Sequence, residues 1–256
     1  MDDLFGCGDA LDAPQLAQLD RHGYVLLTGV FGPEAMAELA LHLSRVLATR
    51  QESSVLRSRG QVYGSRNLLE TVPAVATLFT PPVLRDMLRS VLGPEAGLVR
   101  VLFFDKPPDR SWSLPWHRDR TIAVQRNDLP SPCFSKPTVK AGVPHVEAPV
   151  SLLEAMLTLR VHVDPMTADN GPLHVLPGSH RILSDPADGV PRELHCAAGD
   201  VLAMRPLLSH SSTMSRPGNV LHRRIIHLEF AGCPALSDGY AWHTFRPLKD
   251  MPLTRG

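Results

Sequence analysis

The sequence predicts a mainly β protein with flanking helices, an antiparallel sandwich or jelly roll with the helices packed on its outside. Two observations lead to this prediction. The first third of the chain has mostly helical patterns, and beyond Leu98 the chain offers short apolar runs separated by turn residues. With 256 residues, of which 43% are hydrophobic, the chain can bury a sizeable core. We expect one domain over 1–256, with mostly helical support over 1–97 and the β core over 98–232.

In the first third, we expect three helices and one strand. Asp12 is a suitable cap for a first helix that carries a proline in its first turn. The run YVLLTGVF at 24–31 predicts a strand. A second helix starts after Gly32, because apolar residues recur at helical spacing beyond it. A third helix is predicted over 81–93, closed by its glycine.

The β part contains short β-like runs and one long irregular stretch. The stretch 121–150 is rich in proline and looks too irregular for a strand or a long helix. Loops of that length inside a compact domain are usually functional or disordered, so we expect a lid over the site. The β-like runs lie at 98–104, 157–164, 172–179, 200–212 and 223–231.

Charge and composition narrow the class of partner. Lys plus Arg (26) balances Asp plus Glu (26), so no net field attracts nucleic acid or an anionic membrane. We therefore expect a small-molecule substrate, no nucleic acid and no membrane, and the sequence does not indicate an oligomeric state. The N-terminus lacks a signal pattern, which predicts a cytoplasmic protein. The four cysteines form no CxxC pair, which favours free thiols over disulfides or a zinc site.

The stretch PWHRDR at 115–120 suggests a metal site. Side chains two apart on a strand share a face, so His117 and Asp119 can converge on one point. His210 ends an apolar run in a polar cluster and is a candidate third ligand. Two histidines and one carboxylate form the ligand set of non-haem Fe(II) oxygenases. The alternative is a surface pair on a strand together with a core histidine bonded to a carbonyl.

Five features occur in a set order along the chain. They are the entry segment DRHGYVLLTGVFGPEAMAEL at 20–39, HRD at 117–119, GPLHVLPGSH at 171–180, His210, and HRRIIHLEF at 222–230. Together they resemble the phytanoyl-CoA dioxygenase family of Fe(II)/2-oxoglutarate oxygenases. The resemblance covers most of the chain and implies a double-stranded β-helix, a jelly-roll relative of the cupins. It also implies that Fe(II) is held by His117, Asp119 and His210.

The same resemblance implies a cosubstrate site. The family places an arginine, on the strand after the distal histidine, against the far carboxylate of 2-oxoglutarate. Arg216, Arg223 and Arg224 are candidates, and the family's spacing to a closing aromatic, here Phe230, selects Arg223. Ser212 matches the position whose hydroxyl supports that carboxylate. Arg224 must point to the other face of its strand.

The resemblance implies that 2-oxoglutarate and O2 are converted to succinate and CO2 while a substrate C–H bond is oxidised. A carboxylate at Asp119 argues for hydroxylation, or a related desaturation or ring-forming oxidation, rather than halogenation. The alternative is a cupin-like metal-binding protein, such as an isomerase or a sensor of 2-oxoglutarate or metal, without oxygenase turnover. Arg223 and Ser212 discriminate between the two, because they have a clear purpose only if a dicarboxylate binds.

Further candidates depend on which strand faces point inward. Arg100 shares a face with its apolar neighbours, and Thr158 shares one with Arg160. An inward face would line the cavity, whereas a solvated face or a salt bridge is the alternative. Lys136 or Lys140 pointing inward from the 121–150 stretch would favour an anionic substrate.

Overall fold

The structure, a computed structural model, describes residues 11–182 and 189–251. Cys7 and both ends of the predicted domain lie outside these residues. The cysteines within them, Cys133, Cys196 and Cys233, are free thiols, as expected.

The helices begin and end close to the predicted positions. Asp12 caps the first through a capping box: its carboxylate accepts a hydrogen bond from the Gln15 backbone N–H at 2.8 Å, and the Gln15 side chain accepts one from the Asp12 N–H at 3.1 Å. The second helix follows Gly32 and the fourth ends before Gly93. The helices are α1 (Ala13–His22), α2 (Pro33–Thr49), α3 (Leu68–Thr71), α4 (Pro82–Leu92) and α5 (Val150–Glu154).

Short strands make up most of the remaining secondary structure. They are β1 (Tyr24–Leu27), β2 (Val55–Ser58), β3 (Gln61–Ser65), β4 (Gly97–Lys106), β5 (Leu114–His117), β6 (Thr121–Ala123), β7 (Ser135–Lys140), β8 (Val143–Glu147), β9 (Met156–His162), β10 (Leu173–Val175), β11 (Arg192–Leu194), β12 (Val201–Met204), β13 (His210–Ser212), β14 (Arg223–Ala231) and β15 (Arg246–Pro247).

Within the described residues, the strands form three antiparallel sheets. The major sheet has the order β1-β12-β9-β14-β4-β3-β2, with β15 also paired to β4. The minor sheet has the order β11-β10-β13-β5, and the small sheet has the order β6-β8-β7. Buried residues of the major and minor sheets pack together in one cluster that includes Leu173 and Leu202. The fold is therefore mainly β, with the double-stranded β-helix architecture of the cupins, as predicted.

The two faces of the major sheet differ in chemistry because successive side chains alternate along each strand. One face of β9 and β14 packs in the same core cluster as the helices and is apolar; its members are Leu157, Leu159, Val161, Ile226, Leu228 and Phe230. The other face turns toward the minor sheet and carries polar residues, among them Thr158, Arg160, His162, Arg223, His227 and Glu229, all buried. The helices thus cover one face and leave the polar face for a site.

Two predicted strands are shorter than expected because a glycine turn ends each. The run at 24–31 stops at Leu27, since Gly29 has a φ of 62° and its N–H bonds to Asp200. The run at 172–179 stops at Val175, and Gly178 with a φ of 81° starts a short 3-10 helix.

The predicted run at 200–212 is two strands in different sheets. β12 belongs to the major sheet and β13 to the minor sheet. Pro206 lies between them and has no N–H to donate to a ladder. The chain therefore crosses from one sheet to the other before it reaches His210.

The stretch 121–150 is not an irregular loop throughout, because it contains all three strands of the small sheet. The residues between paired Lys140 and Val143 are Ala141 (φ 52°) and Gly142 (φ 79°), so a two-residue hairpin turn with two positive φ angles joins β7 and β8. Pro137 lies in β7, an edge strand, where a missing N–H is tolerated.

One hairpin was not predicted from the sequence. β2 and β3 pair with each other and add to the edge of β4, where Gly64 lies opposite Phe104. None of the helices within 11–182 and 189–251 is long and apolar enough to span a bilayer.

Candidate metal and cosubstrate site

His117, Asp119 and His210 lie together, as predicted. Their ligand atoms are all within 4.8 Å of one another. His117 on β5 lies directly opposite His210 on β13, with ring centroids 4.3 Å apart. His210 Nε2 lies 3.8 Å from Asp119 Oδ2. This spacing fits three ligands around one small cation.

The backbone orients both imidazoles for ligation. The Nδ1 of His117 lies 2.8 Å from the Pro115 carbonyl, and the Nδ1 of His210 lies 2.9 Å from the Leu208 carbonyl. A carbonyl only accepts, so each Nδ1 carries the proton and each Nε2 keeps a free lone pair, as in most metal-bound histidines. Burial lowers the pKa of His210, against the opposing effect of Asp119, which favours the neutral ring that a metal requires.

Asp119 reaches this point by a different route from the one predicted. β5 ends at His117, so Asp119 lies two residues beyond the strand rather than on it. Its N–H donates to the Pro206 carbonyl at 2.9 Å, which ties it to the crossover that precedes His210. Its side chain is 37% exposed toward the cavity mouth.

A cavity of about 330 Å³ opens beside the three residues. The inward faces of β4, β9 and β14 form its floor, as the alternation of side chains requires. Arg100 and Arg160 both line it, which settles their orientation as inward. Thr158 is buried on the same face of β9, opposite Glu229, but does not reach the cavity surface.

Arg223 and Ser212 also line the cavity. Arg223 is 4% exposed, and its Nη1 donates to the Gly171 carbonyl at 2.8 Å. Its Nε is buried with no hydrogen-bond partner in the described part of the chain. Arg224 points the other way and binds Asp164 through two nitrogen–oxygen contacts of 2.6 and 2.8 Å. The two arginines therefore differ as predicted: Arg224 has a carboxylate partner, and Arg223 has a free donor.

Lys106 is a candidate residue that sequence reasoning missed. It lies opposite Arg223 on β4 and is fully buried. Its Nζ donates to Ser212 Oγ at 3.1 Å and to the Thr213 carbonyl at 2.8 Å. Burial, Arg223 and Arg160 lower its pKa to about 6. The i+2 series from Arg100 through Phe104 leads to Lys106, and that periodicity could have found it.

Arg160 adds a third buried cationic side chain. It lies opposite His227 and is 3% exposed. Its Nε and Nη2 have no hydrogen-bond partner among the described residues, and burial lowers its pKa to about 10. Buried donors without partners are costly unless a ligand satisfies them. Arg160, Arg223 and Lys106 together form a basic pocket that suits a carboxylate, and a bound carboxylate would favour the charged form of Lys106.

The other end of the cavity floor has a different charge pattern. Arg100 binds Glu229 through contacts of 2.7 and 2.8 Å and lies 2.9 Å from His145 Nε2. Lys140 faces the cavity and donates to Thr121 Oγ1 at 2.9 Å. Lys136 does not reach it; its exposed side chain pairs with Glu147 at 2.6 Å.

Comparison with known sequences gives one family and a set of relatives. The profile of the phytanoyl-CoA dioxygenase family matches residues 19–218. The ectoine dioxygenase of Sphingopyxis alaskensis is 27% identical over 182 residues, 67% of this chain and 50% of that protein. The ectoine dioxygenase of Bordetella bronchiseptica is 26% identical over 192 residues, 72% of this chain and 54% of that protein. The chain thus spans about half the length of the curated relatives it matches.

Solved structures show the same fold at low identity. EctD from S. alaskensis with 2-oxoglutarate and 5-hydroxyectoine superposes with a TM-score of 0.66 at 20% identity, covering 93% of this chain and 82% of that one. AviO1 from Streptomyces viridochromogenes Tue57 superposes with a TM-score of 0.62 at 22% identity, covering 91% of this chain and 99% of that one. The non-heme alpha ketoglutarate dependent epimerase SnoN from nogalamycin biosynthesis superposes with a TM-score of 0.61 at 19% identity, covering 85% of this chain and 79% of that one.

Proposed function

The chain belongs to the phytanoyl-CoA dioxygenase family of Fe(II)/2-oxoglutarate-dependent oxygenases, and from this premise we propose that it hydroxylates an unactivated C–H bond of a small-molecule metabolite. Succinate and CO2 would be the coproducts. A cytoplasmic location and a single-domain organisation are part of the same proposal.

The observation that carries the proposal is the pairing of two sites in one cavity. The metal candidates His117, Asp119 and His210 lie beside buried cations that have unsatisfied donors. A metal-binding protein that acts without a dicarboxylate would have no use for the buried Nε of Arg223. This favours the oxygenase over a cupin-like isomerase or a metal sensor. A sensor of 2-oxoglutarate would bind the same dicarboxylate, and the succinate assay separates it from an oxygenase.

Each end of the cosubstrate has a fitting group in this chain. His117, Asp119 and His210 would hold Fe(II), which, when bound, supplies the activation of O2. Arg223 would bind the far carboxylate of 2-oxoglutarate with Ser212. We add Lys106 to this pair, since its Nζ already donates to the Ser212 hydroxyl. Charge-assisted bonds of this kind are the strong ones in a buried pocket.

Hydroxylation rather than halogenation is supported by the carboxylate at Asp119, which leaves no ligand position for a halide. Relatives of this fold include an epimerase and a carbocyclase by their own descriptions. Members of this fold thus catalyse different reactions, and the mass of the product formed in the succinate assay distinguishes hydroxylation from the other oxidations.

The small sheet is proposed to act as a lid. Thr121 and Lys140 come from this sheet, and both line the cavity. β7 is exposed along most of its length, so the sheet is attached mainly through β6 and β8. A lid in this place would exclude water from the reacting centre and contribute contacts to the substrate.

The test is anaerobic reconstitution with Fe(II) and 2-oxoglutarate, followed by a succinate assay in air over a panel of metabolites. We expect succinate formation that requires both additions, and an increase with a true substrate whose product gains one oxygen. His210→Ala should abolish it. Succinate at the wild-type level from His210→Ala, or none from the wild type across the panel, would contradict the proposal.

A further inference from the structure

We propose that Arg66 and Lys140 bind an anionic group of the substrate at the end of the cavity remote from Arg223, with the apolar remainder of the substrate against Leu56 and Tyr63. The inference rests on the proposed function and names the substrate class for that same site.

Arg66 and Lys140 reach the cavity from different sheets, Arg66 from the major sheet and Lys140 from the small sheet. Arg66 follows β3, two residues beyond Gly64, and its backbone N–H donates to the Ser54 carbonyl at 2.9 Å. Lys140 ends β7, and its Nζ is held by the Thr121 hydroxyl. Both side chains line the same cavity as Asp119. A group bound between them would lie close to the metal candidates.

These two cations lack carboxylate partners. The acidic residues that line the cavity, within the described part of the chain, are Asp119 and Glu229. Glu229 is already bound by Arg100, and Asp119 is assigned to the metal. The Thr121 hydroxyl gives Lys140 a hydrogen bond but no countercharge. Positive charge therefore remains at this end after the internal pairs are formed.

Electrostatics supports the same conclusion. Burial first and Arg100 second lower the pKa of Arg66. Burial, Arg100 and Arg66 lower the pKa of Lys140 by more than Asp119 and Glu229 raise it. Each charge is thus held at a cost in a partly buried place, and an anion between the two would relieve that cost.

The cosubstrate does not account for these cations. Arg100 lies next to Glu229, which is six residues along β14 from Arg223. At a strand rise of about 3.3 Å per residue, this separates the two ends of the cavity floor by roughly 20 Å. A 2-oxoglutarate held at Arg223 is much shorter than that. The cations at the Arg100 end are left for a second anionic ligand.

The apolar part of the proposed substrate follows from the hairpin that carries Arg66. Leu56 on β2 and Tyr63 on β3 both line the cavity, along the part of its wall that leads from Arg66 toward Lys106. Tyr63 also contacts Trp112 edge to face, with ring centroids 5.7 Å apart. A carboxylate or phosphate attached to an apolar body fits this combination of charge and wall.

The test measures charge preference with defined probes. The full chain is loaded with Fe(II) and saturating 2-oxoglutarate without oxygen, and 3-phenylpropanoate and its neutral isostere 3-phenylpropanamide are titrated by calorimetry. We expect the carboxylate to bind at least about tenfold more tightly than the amide, the lower range for a hydrogen bond to a charged group. Arg66→Gln and Lys140→Met should each reduce that preference.

Lys136→Met is the matched control, because Lys136 lies on the same strand as Lys140 but is exposed and paired with Glu147. It should keep the wild-type preference. Equal binding of the two probes, binding of neither, or an unchanged preference in both Arg66→Gln and Lys140→Met would overturn the inference. The wild-type comparison needs no variant to fold. The proposed function fails if the wild type does not bind 2-oxoglutarate; the inference fails if it does and shows no preference.

Discussion

Arg223 and Arg224 are sequence neighbours with opposite surroundings. The side chain of Arg223 is buried on the cavity side with a free donor, whereas Arg224 forms a bidentate pair with Asp164. The alternation of a strand predicts this difference from the sequence, but the choice between them needed the position of Phe230. Two of the metal candidates could be found because they lie in one short motif, although Asp119 lies beyond the end of β5 and not on it. The family resemblance added His210 to them.

Arg223→Ala should weaken 2-oxoglutarate binding roughly ten- to hundredfold, because it removes a charge-assisted hydrogen bond from a buried site. Fe(II) binding should change little. Arg224→Ala is the control and should have a much smaller effect, since its side chain faces Asp164 and not the cavity. Titration of 2-oxoglutarate against both iron-loaded variants measures this. The reverse ranking would move the cosubstrate site one residue along β14.

Lys106 should make cosubstrate binding depend on pH. Its lowered pKa of about 6 leaves it neutral above that pH when no anion is bound. A bound dicarboxylate favours the charged form, so binding takes up a proton. The affinity for 2-oxoglutarate should therefore fall as the pH rises from 6 to 8, by at most about tenfold per pH unit.

The basic groups that face Lys106 are Arg223 on β14, whose own pKa is lowered by burial and by Arg160, and Arg160 on β9. The pKa of Arg160, about 10, lies above this window, so Arg160 stays charged through it. Lys106→Met should bind 2-oxoglutarate more weakly at pH 6 and with a flatter pH profile. Calorimetric titrations of both proteins at pH 6, 7 and 8 measure the difference. If the wild type and Lys106→Met showed the same dependence of 2-oxoglutarate affinity on pH, Lys106 would not be part of the cosubstrate site.

Helices and strands were predicted correctly where no unrecognised turn interrupts them. The strand at 223–231 was predicted with its observed bounds, because it is long and continuous. The sequence predicts one β-like run at 200–212, whereas the structure has two strands in different sheets with Pro206 between them. The hairpin within 121–150 could not be recognised from the sequence, because Ala141 occupies a positive-φ turn position where glycine or asparagine is usual.

The lid proposal predicts protection of the small sheet from protease. Trypsin should cleave after Arg126, which is 61% exposed, in the connection between β6 and β7. Cleavage there should slow when Fe(II), 2-oxoglutarate and 3-phenylpropanoate are present together, because the closed lid restricts that connection. Arg50, exposed at the end of α2, is the internal control and should be cleaved at an unchanged rate. Equal rates after Arg126 with and without the ligands would exclude a closing lid.

For the whole molecule, a mainly β sandwich or jelly roll was predictable because many short strands follow a helical start. The double-stranded β-helix followed from the family resemblance. The unpredicted hairpin of β2 and β3 shows the limit of this reasoning. Arg57 on β2 bonds to the Leu47 and Arg50 carbonyls at the end of α2, a tertiary contact without local periodicity. Arg66 and Tyr63 belong to this region. The residues proposed to bind the substrate could therefore not be predicted from the sequence, whereas the metal candidates could.

Anaerobic Fe(II) titration of the full chain shows whether His117, Asp119 and His210 form one Fe(II) site. Asp119→Gly and His210→Ala should each lose at least about tenfold in affinity, since even the loss of a residue that only supports a metal ligand costs that much. His174→Ala is the control, because His174 lies on neighbouring β10 and pairs with Glu193 instead. Of these three variants, only His174→Ala should bind Fe(II) with wild-type affinity; wild-type affinity and full iron occupancy in Asp119→Gly or His210→Ala would show that the ligand assignment is wrong.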